Sequence, residues 1–161
     1  MRVKLTSEKA NVNYFGVIKE GWYISKISNV EITTSKNNNR MLVVEFELIE
    51  ESRGGRIPFA GHKIKKYLLL EDKYIGAKLY ELLKLCDIDV KDGDEIDVEK
   101  LVDSRQLLNI YVDAEIVEDT YINKDGKSIV CNRINYIHAI DYKDYRKKVE
   151  DVVISDDDIP F

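Results

Sequence analysis

Two prolines, two cysteines and eight glycines are spread over 161 residues, with two histidines, and each scarcity removes a class of protein. Cys86 and Cys131 stand far apart with no CxxC pair and no histidine cluster nearby, which excludes a disulfide scaffold and a structural zinc site. Both are read as reduced thiols in packed positions. His62 and His138 have no nucleophile at a recognisable spacing, so a catalytic triad is unsupported. Gly54-Gly55 lacks the Lys-Ser/Thr of a phosphate-binding loop. Asp87, Asp89, Asp92, Asp94, Asp97 and Glu99 look like a calcium loop until the register is checked. Gly93 is one position late, and Val98 stands where the bidentate Glu belongs. No enzyme activity, metal or cofactor is therefore expected. No apolar run approaches the roughly 20 residues that span a bilayer, and Met1-Arg2-Val3-Lys4-Leu5 lacks the apolar stretch of a signal peptide. The expected location is cytoplasmic.

Charge is present in quantity, and its distribution matters more than its sum. The formal net charge is -5, but Glu150, Asp151, Asp156, Asp157 and Asp158 have no basic residue among them, so the excess lies in the last twelve residues. Residues 1–70 carry 12 basic and 7 acidic side chains, 71–103 carry 5 and 11, and 104–149 carry 8 and 7. Positive charge sits at both ends of the body and negative charge in its middle.

The length suits one domain, and a chain this long buries roughly 70% of its unfolded surface. The long stretches between the sparse Gly and Pro are rich in β-branched residues, which favours strands. Residues 21–33 alternate imperfectly, as a long strand with a bulge does. After the polar turn 34–39, residues 40–49 put Leu42, Val44, Phe46 and Leu48 on one face. Phe46, sharing that face with the three aliphatic residues, is assigned to the core. A basic loop at 54–61 leads to a third strand over 62–70. Asp72 can cap a helix in which Leu79, Leu82, Leu83 and Cys86 recur at three and four residues. An acidic connector follows, with at most one further turn over 98–102. Residues 107–118 alternate well, Leu108, Ile110, Val112, Ala114 and Ile116 facing one way. Asp125-Gly126 is a hairpin turn, and 128–140 returns as the last strand. A short helix over 143–153 is also compatible with the pattern. Three strands, one helix and two strands give an all-β chain with the connectivity of the five-stranded Greek-key OB-fold, its helix between strands 3 and 4. The expected division is a body over 1–148 and a flexible acidic tail over 149–161.

That tail ends in Asp156-Asp157-Asp158-Ile159-Pro160-Phe161. Pro160 forbids a helix and extends Ile159, so two apolar side chains are displayed beside several carboxylates. Such a segment suits a partner with an apolar pocket for Phe161 and cations for the aspartates. These six residues resemble the C-terminal tip of bacterial single-stranded DNA-binding proteins, through which those proteins recruit replication, recombination and repair enzymes. The body is similar to phage-encoded single-stranded DNA-binding proteins, in which a Gly-x-Tyr strand precedes a Ser-Lys-Asn and Met-Leu hairpin and a Leu-rich helix. Here these are Gly21-Trp22-Tyr23, Ser35-Lys36-Asn37 with Met41-Leu42, and Leu79 to Leu85. The tail departs from the bacterial pattern in lacking a long Gly, Pro or Gln-rich linker. A flexible stretch of about thirteen residues has a root-mean-square reach of about 20 Å.

Binding single strands without sequence preference needs cations along the phosphates and aromatic faces for the bases. The candidate cations are Lys26, Lys36 and Arg40 in the first hairpin, Arg53 and Arg56 in the basic loop, Lys63, Lys65 and Lys66 in strand 3, and Lys124, Lys127 and Arg133 in the last hairpin. The candidate aromatics are Trp22, Phe59, Tyr67, Tyr111, Tyr121 and Tyr136, with Trp22 balanced between core and stacking platform. In an OB-fold the strand 2 and 3 face and the 1–2 and 4–5 loops form the binding surface, and the basic segments map there. The acidic stretch falls on the helix side. The expected partners are single-stranded DNA and, through the tail, replication, recombination or repair proteins. A homodimer or higher oligomer is compatible, and no membrane is. The alternative from another class is a protein-interaction module or decoy that displays the tail without binding nucleic acid.

Overall fold

A computed structural model of the chain describes residues 1, 2, 4, 18–52 and 60–140. Arg53, Arg56, Phe59, the body–tail boundary, the candidate helix over 143–153 and the tip Asp156, Asp157, Asp158, Ile159, Pro160 and Phe161 lie outside the described residues.

The first strand, β1 (Gly21–Thr34), alternates around two bulges, between Ile24 and Ser25 and between Ile27 and Asn29. The bulges keep Tyr23, Ser25, Ile27, Val30 and Ile32 on one side although their spacing is not strictly two. β2 (Arg40–Glu51) pairs antiparallel with β1, from Thr34↔Arg40 to Tyr23↔Glu51. Leu42, Val44, Phe46 and Leu48 are completely buried, as their alternation predicts. The turn between the strands is held by Asn38 in the left-handed region (φ 64°) and by Ser35, whose carbonyl and hydroxyl accept from Asn38 and Asn39. β3 (Lys63–Leu69) adds to the other edge of β2.

Two helices follow β3, where one is expected. α1 (Ile75–Leu85) buries Leu79, Leu82 and Leu83. Its cap residue is Tyr74 rather than Asp72, yet Asp72 still serves the start, accepting from the Tyr74 N–H at 3.0 Å and pairing with Lys78. The helix ends where Asp87 turns left-handed and the Ile88 N–H reaches back to the Leu83 carbonyl. α2 (Val98–Ser104) grows from the acidic connector. Asp97 caps it through the Lys100 N–H, and Glu99 favours the positive helix start. A one-turn apolar stripe is too short for periodicity to announce it.

β4 (Tyr111–Ile122) begins four residues later than its alternation suggests, because 107–110 turn into it, and it runs on to Ile122. β5 (Ser128–Ala139) returns along it, with a register irregularity between Ala114 and Ile116. All neighbouring strands are antiparallel, in the order β3-β2-β1-β4-β5. The end strands β3 and β5 come together without a hydrogen-bonded ladder. Among the described residues the result is mostly β, a five-stranded antiparallel sheet with two helices in an OB-like arrangement.

The core is formed by the inward rows of β1, β2 and β4 with Ile64 and Leu68 of β3, Ile134 of β5 and the buried face of α1. Each such apolar side chain contributes about 1.5–3 kcal/mol by leaving water. Ile18 joins it, held by Asn132, which accepts from its N–H at 2.7 Å and donates to its carbonyl at 3.0 Å. Cys86 is buried, and burial pushes its thiol up to about 12; Cys131 is half-buried.

Candidate functional site

Because β1, β2 and β4 bury one row of side chains, the intervening row is turned to the other side, where Ile24 and Val43 are buried as well. Registers align Lys63 of β3, Glu47 of β2, Lys26 of β1 and Tyr111 of β4 in one such row. The next rows of β3 present Lys65 opposite Glu45 and Tyr67 opposite Val43. Lys63, Lys65 and Tyr67 are all exposed on this face, with Tyr67 57% accessible.

The sequence suggests a lysine cluster with few acids between its members, and folding corrects that. Glu45 and Glu47 sit on β2 amid Lys26, Lys63 and Lys65. Lys26 Nζ lies 3.4 Å from Glu47 Oε2 and Lys63 Nζ 3.7 Å from Glu45 Oε1. Ser28 donates to the same Glu45 oxygen at 3.0 Å. These pairs are partly shielded from water, so the two glutamates offset part of the lysine charge on this face. Lys65 has no ion pair among the described residues.

The outward row continues from β1 to β4 and β5. Trp22, opposite Glu115, lies on this outer side and is half-buried. Its ring centroid is 4.5 Å from that of His138, tilted by 31°. The indole is therefore half-buried outside the core cluster, with one side against His138. His138 pairs across the ladder with Asp113, whose Oδ1 is buried and has no hydrogen-bond partner. Burial pushes the Asp113 carboxyl above the usual range, with the nearby His138 pulling the other way. Nothing in the sequence pairs His138 with Asp113. Their pairing depends on the register irregularity, which has no sequence signature.

Beyond Ile116 and Ile134 the β4–β5 hairpin leaves the core. Tyr121 is 52% and Ile122 74% exposed, and Val130 is exposed across the ladder. Lys124 and Lys127 flank the tip. Asn123 Oδ1 accepts from the N–H groups of Asp125 and Lys127 at 2.9 and 3.0 Å, and Gly126 adopts φ 76°, which fixes the turn that carries both lysines. Arg133 Nε bonds Asp119 Oδ2 at 3.1 Å on the same outward row as Tyr121.

Other candidates are separated from these groups. Lys36 is exposed in the β1–β2 turn. Arg40 is turned to α2 and pairs with Glu99, so it belongs with the acidic connector; this contact holds the Glu99 carboxyl below its ordinary range. Lys66 sits opposite the buried Val44, on the inward side of β3, and not beside Lys63 and Lys65. Tyr136 is 62% exposed on β5. Adjacent positions in a strand face opposite ways, so three near-consecutive lysines cannot form one patch.

A family model described as "Protein of unknown function (DUF669)" matches residues 5–102. No curated protein matches the chain. Among solved structures, a chain of "Yeast RPA bound to ssDNA" is similar at 12% sequence identity, covering 96% of this chain and 91% of that chain with a TM-score of 0.39.

Proposed function

We propose that this chain, which belongs to the family described as "Protein of unknown function (DUF669)", coats single-stranded DNA without sequence specificity. The observation that carries the reading is the β4–β5 arm. It exposes Tyr121 and Ile122 beside Lys124 and Lys127, a combination that weakens a fold but suits a base stack flanked by phosphates. The Lys63, Lys65 and Tyr67 row and the Trp22 platform extend the same pairing of cation and aromatic over the outer face. In this reading the strands make a five-stranded Greek-key barrel, and DNA runs over its outer side from the β2–β3 face to the arm. Arg40 and the acidic helical connector lie away from it.

The terminal Asp156 to Phe161 then recruits replication, recombination or repair enzymes, as its resemblance to bacterial tips implies. The protein acts in the cytoplasm of a bacterial host, with no catalytic turnover of its own. Its phage type rests on the Gly21-Trp22-Tyr23, Ser35-Lys36-Asn37 and Met41-Leu42 motifs.

Titration of the full chain with oligothymidine, followed by quenching of Trp22 and tyrosine fluorescence over a salt series, tests the first part. Saturable quenching is expected, with log affinity falling linearly with log salt. No response to any nucleic acid would replace this reading with the interaction decoy. Recruitment is tested by capture of host replication and repair proteins on the full chain and on one lacking residues 156–161; equal capture removes the role of the tip.

A further inference from the structure

Where β3, β5 and α1 meet, the structure has an opening of about 490 Å³, within the range of about 300–1,000 Å³ that small-ligand clefts occupy. Its floor is apolar, with Phe46 of β2, Leu68 of β3, Leu82 of α1 and Ile134 of β5. Lys66, Lys78 and Arg133 line it from three different elements, with one carboxylate, Glu81 of α1, among them. The exposed Tyr67 and Tyr136 line it from β3 and β5.

Packing alone does not account for Lys66. Its neighbours on the inward side of β3 are Ile64 and Leu68, and its cross-strand partner is Val44, all buried. An apolar residue would continue that row. Burial instead holds the Lys66 amine below the ordinary lysine range, Arg133 and Lys78 push it further down, and Glu81 opposes them. Lys78 is committed to Asp72 at 2.5 Å, and Arg133 uses Nε on Asp119, which leaves further guanidinium donors. Lys66 has no hydrogen bond or ion pair among the described residues. The arrangement combines an apolar floor, aromatic edges and a half-buried cation that has Glu81 nearby but no ion pair. A flat apolar ring carrying a phosphate complements all three.

We propose that this opening holds one nucleotide of the bound strand, its base over the apolar floor beside Tyr67 and Tyr136 and its phosphate at Lys66 and Arg133. The inference rests on the single-strand reading above and adds a site at the β3–β5 seam, which Tyr67 and Arg133 also line and which reaches inward to Lys66. The strand would pass over the seam between β3 and β5 with one base drawn inward, which links the β3 row to the arm.

The test uses the full chain, oligothymidine and thymidine 5′-monophosphate as probes, and two variants. Lys66→Met keeps the apolar stem and removes the charge; Tyr136→Ala changes an exposed side chain and leaves the fold undisturbed. A single-strand phosphate contact contributes about 0.7 to the salt slope, so Lys66→Met should weaken oligothymidine binding about fivefold near 0.1 M salt, with the loss fading toward 1 M. Thymidine 5′-monophosphate should shift the amide resonances of Leu68, Leu82 and Ile134 in the wild type and not in Lys66→Met. Tyr136→Ala should weaken oligothymidine binding as well. If both variants bind oligothymidine like the wild type while Tyr121→Ala does not, the strand crosses only the outer face and the pocket is refuted, with the single-strand reading intact. If the wild-type chain binds neither probe, both fall.

Discussion

The β1–β2 and β4–β5 hairpins have strands of similar length and pair almost to their tips, at Thr34↔Arg40 and Ile122↔Ser128. They differ in what lies beneath them. Val30, Ile32 and Leu42 keep the first hairpin packed on the core close to its turn, whereas nothing past Ile116 and Ile134 in the second is buried. Core formation therefore explains the length of one hairpin and not of the other. The outer half of β4–β5 is held by its backbone ladder, the Asn123 turn and, near its base, the Asn132 bonds to Ile18, which predicts an arm that opens more readily than the body. Tyr121, Ile122 and Val130 stay exposed on it because burial is not what they serve.

The largest effect that could break this contrast is in the core. Phe46→Ala, on the packed hairpin, should destabilise the fold by about 3–5 kcal/mol, measured by urea unfolding. Ile122→Ala, on the arm, should change stability by less than about 0.5 kcal/mol. A loss at Ile122 comparable to that at Phe46 would mean that the arm is part of the core after all. Next in size is Tyr121→Ala, for which oligothymidine affinity should fall by about 1–3 kcal/mol while the melting temperature stays put. A fall in melting temperature without a fall in affinity would reverse the assignment. Smaller again is the double change Lys124→Ala with Lys127→Ala. It should flatten the salt dependence by up to about 1.4 units, since each single-strand phosphate contact contributes about 0.7. An unchanged slope would take the tip out of the DNA path.

The same contrast shows which parts of the molecule were legible in the sequence. Strict alternation marked Leu42 to Leu48 and Val112 to Ile116 as inward rows, and three-four spacing marked Leu79, Leu82 and Leu83 as a buried helix face, because burial imposes a period. Exposure imposes none. The alternation stops at Glu118, four residues short of the end of β4, because neither face is buried beyond it. Proximity in sequence groups Lys66 with Lys63 and Lys65, whereas the pleat sends it to the other side. Glu45 and Glu47 entered the lysine field through strand pairing, which only the register discloses. The Trp22, His138 and Asp113 cluster required three strands and one irregularity to assemble, and none of these leaves a local mark.

Asp113 offers the finest test of where the packed half ends, because it lies on the same strand as the arm but before the core gives out. Its carboxyl is raised by burial, and Oδ1 is left without a donor. A carboxyl whose folded pKa exceeds its unfolded value opposes folding once ionised. The penalty is absent in acid, opens as the unfolded chain ionises near pH 4 and is complete above the folded pKa. Asp113→Asn should therefore raise stability at pH 7 by at most about 1 kcal/mol, which corresponds to roughly 2–4 °C in a chain of this size. The gain should vanish below about pH 4. Hydrogen exchange should slow at Val112 and Ala114 but not at Thr120 to Ile122, since stabilising the packed half does not reach amides that open locally. Slower exchange along the whole of β4 would show that hairpin and body unfold as one unit, and the arm would then have to be counted with the core.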